Sequence, residues 1–324
     1  MDYQGITAPV SDDLEAVERV ITLHLGSDVP LIPRVGKYLF SAGGKRFRPV
    51  LLLLSARLAG YRGPRAHNLA AVIEFVHTAS LLHDDVVDNA RLRRGMDSAN
   101  LVFGNQASVL VGDFLYGRAS SMLADDNDIR TVKVVAEALR AMAEGEVLQL
   151  GRQHDVNTTE EEYLSVIERK TAVLISAAPE LGAILGEGSA DRRESLQRFG
   201  LSLGFAFQLM DDALDYVGDE KVFGKRHGND LAEGKVTLPL ILALRACTPS
   251  ERETVGAILK AGDAGPKEFE LVKEVIHRYG GIDGAILRAR EYVVRGRAFL
   301  DPFPDGDEKD ALLQLSQYVV ARDR

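Results

Sequence analysis

LAAVIEFVHTASLL occupies residues 69–82, and HDDVVD follows at 83–88. The first stretch is apolar on nearly every side of a helix rather than along one stripe. A helix of that kind belongs in the centre of a large helical protein. Here it runs directly into three carboxylates. The arrangement occurs twice: LSLGFAFQLM at 201–210 leads into DDALD at 211–215. Both acidic clusters read DDxxD, and the second begins 127 residues after the first.

Working outward, segments 14–25, 130–150, 160–185 and 195–215 carry apolar residues at helical spacing. Leu14, Val17, Ile21 and Leu25 form one such stripe. Gly, Pro or Asn stand at the breaks, as at 60–64, 127, 157 and 186–188. Strict apolar/polar alternation is scarce, and Asn-Gly hairpin signals are absent. The pattern predicts an all-α fold of roughly ten or more helices. No Pro-, Ser- or Gly-rich linker interrupts residues 1–324, so a single domain is expected.

Composition narrows the classes. With 46% hydrophobic and 27% charged residues, the chain is not of the disordered type. Lys and Arg number 39 against 48 Asp and Glu, a net charge of −9, which argues against a nucleic-acid partner. Cys247 is the one cysteine; no internal disulfide can form, and a reducing cytoplasm is expected. Residues 1–11 lack a secretory pattern. The apolar run at 50–54, which no other run exceeds, is far short of the roughly 20 residues that span a bilayer. The expectation is a soluble or at most peripheral protein.

The carboxylates need an explanation. Positions i and i+4 share a helix face, so Asp84 points with Asp88 and Asp211 with Asp215. Asp85 and Asp212 sit about 100° round and contribute from the side. Like charges so placed cost a few tenths of a kcal/mol when exposed, and more when burial strips their hydration. Divalent cations would offset this. An oxygen-only donor set favours Mg²⁺, with Mn²⁺ as a substitute, over Zn²⁺. Two such clusters facing each other would hold a polyphosphate through several metals. The acidic run at 125–128 lies near a turn and reads as a solvated helix end.

Cations accompany the acids. SAGGKRFRP at 41–49 joins a Gly pair to Lys45, Arg46 and Arg48. Lys45 and Arg48 are expected to share a helix face and meet an anion; a solvated basic helix start is the alternative. No GxxxxGK[ST] loop is present. Arg91, Arg93 and Arg94 precede Gly95, suited either to phosphate oxygens or to pairing with the aspartates. Lys170 and Thr171 lie in a helical segment, and Gln208, three before Asp211, is expected to face the same way. Lys225 and Lys235 each follow a glycine. His77 stands two turns before Asp84 on one face; His83 reads as structural.

Taken in order, these motifs resemble the trans-type (E) polyprenyl diphosphate synthases. The resemblance runs over GGKRFRP (43–49), HTASLLHDDVVDNARLRRG (77–95), ERKTA (168–172), FQLMDDALDYVGD (207–219) and GKRHGNDLAEGKVTLPL (224–240). It implies an all-α isoprenoid-synthase fold around a deep central cavity, a homodimer, and Mg²⁺-assisted condensation of isopentenyl diphosphate with an allylic diphosphate. It implies metal binding by Asp84, Asp85, Asp88, Asp211, Asp212 and Asp215, with Asp211 the surest of the second set. Lys45, Arg48, His77 and Arg94 are implied at the isopentenyl diphosphate site. Arg93, Lys170, Thr171, Gln208, Lys225 and Lys235 are implied at the allylic site. Asp84, Asp85, Asp88, Asp211, Asp212 and Lys170 form the implied catalytic set. Peripheral membrane contact for product release and a quinone side chain as product use also follow from the resemblance alone.

Product length is read from the helix before Asp84. The family's fifth position before the motif often gates length, and here it is Ala79. With Ser80, Val76 and Ile73 it would line an open pocket. Eleven residues from Asp84 to Ile73 give about 16 Å of helix, room for roughly three isoprene units of about 5 Å each. A long product of about eight to ten units is expected on family precedent, with a C15–C20 product as the alternative. An HD-type metal phosphohydrolase, prompted by His83-Asp84, does not need the second DDxxD. A terpene cyclase would lack GGKRFRP, and a regulatory subunit would be expected to lose an aspartate motif.

Overall fold

The computed structural model describes residues 2–41, 43–217, 228–262 and 264–321. It is all-α apart from one short hairpin among those residues. The chain divides into two compact units. One comprises Met1–Leu139, Leu174–Gly200 and Phe299–Leu315; the other comprises Arg140–Val173, Leu201–Ala298 and Ser316–Arg324.

In the first unit the order is α1 (Tyr3–Thr7), α2 (Ser11–His24), α3 (Leu31–Ser41), α4 (Phe47–Leu58), α5 (Arg65–Val87), α6 (Ala99–Phe103) and α7 (Asn105–Asp126). The α5 helix is the hub, packed against α2, α4 and α7. Its all-round apolar sequence explains this: Leu69, Ala70, Val72, Ile73, Phe75, Val76, Ala79 and Leu82 are all fully buried. Two charges of α5, Glu74 and Asp85, are buried with them. Glu74 is 4% exposed, and Arg46 Nη1 donates to its Oε1 at 3.1 Å.

The hairpin pairs β1 (Leu92–Arg93) antiparallel to β2 (Met96–Asp97). Its two turn residues, Arg94 and Gly95, have φ of 53° and 76°. That is the left-handed pair a two-residue hairpin requires. Arginine fills a place where Asn was the expected signal, and the hairpin was therefore not anticipated.

In the second unit, α8 (Ile129–Leu150) supplies the stretch from Arg140 onward, followed by α9 (Glu160–Ile167). Thr159 and Glu162 form a capping box that fixes the start of α9. The segment predicted as one helix over 160–185 changes winding at Glu168–Ala172, a π-helical turn, before α10 (Val173–Leu185), which from Leu174 belongs to the first unit. Single π turns inside α-helices recur at functional sites. The α11 helix (Ala190–Leu214) starts five residues earlier than predicted. Later helices are Leu238–Ala246, Pro249–Ala261, Pro266–Arg278 and Gly281–Ala298, with the first packed on the last. Among the described residues no helix is long and apolar enough to cross a membrane.

Candidate active site

Both DDxxD motifs sit at the C-terminal ends of their helices. Asp84 and Asp85 are in the last turn of α5, with Asp88 as its C-cap. Asp211 and Asp212 are in the last turn of α11, and Asp215 follows it. Helix C-termini carry partial negative charge, which disfavours each carboxylate there by about 0.3–1 kcal/mol. A sequence folding only for stability would place cations in these turns.

In the first unit, Asp84 and Asp88 are half-buried one turn apart, and Asp88 N–H donates to Asp84 O at 2.8 Å. Asp85 turns inward and is 1% exposed. Arg93 Nε donates to its Oδ1 at 2.8 Å, and Nη2 donates to the same oxygen. Asp85 Oδ2 is buried without a hydrogen-bond partner. The fork of Arg93 is thus on Asp85, the second of the two roles its sequence position allowed.

The glycine-rich stretch before α4 lies on the same unit. Lys45 and Arg48 do not share a helix face as expected. Arg46 adopts left-handed φ of 47° and α4 begins only at Phe47, so Lys45 precedes the helix and is exposed. Arg46 is the structural member of the trio, bonded to Glu18 at 2.5 Å and to Glu74. Arg94 Nη1 donates to Gly43 O. A methyl group on Gly44 would lie 2.9 Å from that nitrogen, so glycine lets the guanidinium close over the loop. Tyr3 Oη donates to Lys45 O at 2.6 Å, anchoring the loop from α1.

These cations crowd one another. Enclosure lowers Arg48 to about 10; Glu74 opposes the shift and Arg94 adds to it. Burial, then Arg48, Arg94, Arg93 and Arg46, hold His77 well below the ordinary histidine value, so His77 is neutral at neutral pH. Arg48 Nε is buried with no hydrogen-bond partner. A buried donor left open in a field of positive charge is what an incoming anion completes.

In the second unit, Asp212 is 4% exposed and holds a polar chain together. Tyr163 Oη donates to Oδ2 at 2.5 Å and Gln208 Nε2 to Oδ1 at 2.7 Å. Thr171 Oγ1 donates to Gln208 Oε1 at 3.0 Å. Gln208 thus bonds Asp212, one turn on along α11. Burial pushes Asp212 up to about 7; the bonds from Tyr163 and Gln208 oppose this, while Asp211 and Asp215 reinforce it.

Asp230, which sequence reading passed over, joins the group: its N–H donates to Asp215 Oδ2 at 3.2 Å. Burial, then Asp212 and Asp215, hold its carboxyl well above the usual range. Lys170 Nζ lies 2.6 Å from Glu146 Oε2, and Lys235 Nζ pairs with Glu233. A cavity in this unit is lined by Gln149, Arg152, Tyr163, Lys170, Thr171, Gln208, Asp212, Asp230 and Lys235. Lys225 lies outside the described residues.

The donor set fits Mg²⁺. Carboxylate oxygens crowd at two helix ends, and one of them, Asp85 Oδ2, is buried and open. Among the described residues no three His, Cys, Asp or Glu side chains form a cage for a metal. Mg²⁺ needs none, since it takes one or two carboxylates and completes its shell with water and phosphate oxygens. His83 is not part of such a set: its Nε2 is 3.1 Å from Val109 O and its ring packs edge-on to Tyr116. The same nitrogen is 3.5 Å from Asp113 Oδ1.

Of the four residues expected to set product length, Ile73, Val76 and Ala79 are fully buried on α5. Ser80 is half-buried, its Oγ donating to His77 O at 2.8 Å.

Known proteins are similar to this chain over its length. A family model described as polyprenyl synthetase matches residues 29–277. An octaprenyl diphosphate synthase of Escherichia coli (strain K12) is 43% identical over 324 residues, covering 100% of each chain. The crystal structure of a polyprenyl synthase from Caulobacter crescentus CB15, complexed with calcium and isoprenyl diphosphate, matches with a TM-score of 0.96 and 42% identity, over 99% of this chain and 98% of that one. That of a decaprenyl diphosphate synthase from Rhodobacter capsulatus matches with a TM-score of 0.93 and 40% identity, over 100% of each.

Proposed function

The chain belongs to the polyprenyl synthetase family, and from that premise we propose that it joins isopentenyl diphosphate to an allylic diphosphate repeatedly, giving a long all-trans polyprenyl diphosphate. It is an enzyme of prenyl transfer. The observation that carries the long-chain reading is full-length similarity, at 43% identity, to a protein named octaprenyl diphosphate synthase.

In this reading Asp84, Asp88, Asp211 and Asp215 hold Mg²⁺, with Asp85 and Asp212 fixed beside them by Arg93, Tyr163 and Gln208. When bound, Mg²⁺ would neutralise charge that gathers on the diphosphate as the allylic C–O bond breaks. Lys170, Thr171, Gln208, Lys225 and Lys235 bind the allylic diphosphate and, with Arg93, orient it. Lys45, Arg48 and Arg94 bind the diphosphate of the second substrate, with neutral His77 beside them. The C=C electron pair of isopentenyl diphosphate attacks the allylic cation. A proton then leaves the adjacent carbon, taken up by the released diphosphate. No side-chain nucleophile is needed. Apolar α5 residues keep water from the cation.

Ala79, with Ser80, Val76 and Ile73, leaves the pocket open to a product of about eight to ten isoprene units. A single catalytic domain over residues 1–324, a homodimer and brief membrane contact for product release belong to the same proposal. Cytoplasmic location and a quinone side chain as destination complete the proposal. The test is incorporation of labelled isopentenyl diphosphate with farnesyl diphosphate and Mg²⁺. Asp84→Ala and Asp211→Ala should each abolish it; full incorporation by either variant would refute the assignment.

A further inference from the structure

Lys170 emerges from the π-helical turn Glu168–Ala172 beside α8. The two elements touch at Gly145, where a Cβ would come within 2.6 Å of Lys170 N and 2.8 Å of Arg169 Cβ. This contact sets the next residue, Glu146, against the lysine, with Oε2 at 2.6 Å from Nζ. The carboxylate is not otherwise satisfied: Oε1 is buried and has no hydrogen-bond partner. Gln149 Nε2, three residues on along α8, is also buried and unpartnered. Lys170 and Gln149 line the same cavity. A glutamate stands behind the second cavity lysine too, since Lys235 Nζ pairs with Glu233.

An ammonium has three N–H donors. Glu146 takes one, which fixes the direction of the other two. Its negative charge also stands close behind the ammonium and repels any anion the ammonium binds. A chain-elongating enzyme needs both effects. The diphosphate must be held while its C–O bond breaks. It must then be given up, because a lengthened diphosphate takes its place before the next addition. We infer that Glu146 is a positioning residue that aims Lys170 into the cavity and limits its hold on diphosphate, so that the leaving group departs between additions. This rests on the allylic-diphosphate reading of Lys170.

The test uses full-length protein and inorganic diphosphate with Mg²⁺, measured by calorimetry, for wild type, Glu146→Gln, Lys170→Met and the double variant. Glutamine keeps an oxygen for Lys170 but removes the charge. Glu146→Gln should bind diphosphate about fivefold more tightly, and the gain should vanish in the double variant. Its steady-state turnover should fall while single-turnover condensation stays at the wild-type rate, a split that general loss of structure would not give. Glu146→Asp, which keeps the charge, should retain wild-type affinity. Unchanged or weaker diphosphate binding by Glu146→Gln, with Lys170→Met clearly impaired, overturns the inference but not the allylic reading. Lys170→Met binding diphosphate like wild type overturns that reading itself.

Discussion

Tyr163 donates its hydroxyl proton to Oδ2 of Asp212 at 2.5 Å, across 49 residues of sequence. With Gln208 on Oδ1, both oxygens of the most buried aspartate of the second motif are engaged by side chains of α9 and α11. The second motif is therefore tied into the fold at more than one point: Asp212 by these two side chains, and Asp215 Oδ2 by the N–H of Asp230 at 3.2 Å.

The shift on Asp212 gives a pH prediction. Burial raises its carboxyl from the ordinary 3.8 to about 7. The folded chain then binds this proton more tightly than the unfolded chain. Its stabilising contribution is full below about pH 4 and is lost as pH rises through about 7. Metal-free protein should lose Tm between about pH 5 and pH 8, and Asp212→Asn should flatten that slope. Melting curves in chelator check this; an equal slope in the variant would show that another group is responsible.

The Arg93–Asp85 pair should matter more to stability than a surface pair. Asp85 is 1% exposed, and its charge-assisted bonds come from one guanidinium. Arg93→Gln leaves a buried carboxylate without its partner, at a cost of about 3 kcal/mol. Urea denaturation measures the loss; Mg²⁺ should restore part of it. A change under about 0.5 kcal/mol would mean that water already reaches Asp85.

Gly44 is tested by one methyl group. Gly44→Ala would place a carbon 2.9 Å from Arg94 Nη1 and push that guanidinium off the loop. The KM for isopentenyl diphosphate should rise about tenfold, with the KM for the allylic substrate unchanged. A rise in both, or in neither, would separate Arg94 from the isopentenyl diphosphate site.

Ala79 is fully buried on α5, five residues before Asp84. Ala79→Tyr should shorten the product by several isoprene units, at about 1–3 kcal/mol in stability from overpacking. Chromatography of the dephosphorylated products reads the length. A wild-type product distribution would remove Ala79 from the pocket.

Much of this was legible in the sequence, for identifiable reasons. The α5 segment is apolar all round, so its burial followed from composition, and the aspartates that end it stood out. Other features were not legible. The π turn at Glu168–Ala172 leaves the apolar spacing of 160–185 unbroken, so one helix was read. The β1–β2 hairpin turns on Arg94-Gly95, a pair with no turn bias strong enough to declare left-handed φ at arginine. The partners Glu146, Tyr163 and Asp230 are ordinary residues by local context; only folding brings them to Lys170, Asp212 and Asp215. Helix ends were blurred where charge replaces apolar periodicity, as at 190–195, the first turns of α11. The cation loop differs for a related reason: a left-handed residue, Arg46, interrupts the helix that spacing alone assumed.

The measurement that bears most directly on the central claim is the product formed by the purified wild-type chain from labelled isopentenyl diphosphate, farnesyl diphosphate and Mg²⁺. A polyprenyl diphosphate of about C40–C50, absent without divalent metal, is predicted. Phosphate release without condensation would contradict the synthase reading, and a C15 or C20 limit product would contradict the long-chain reading.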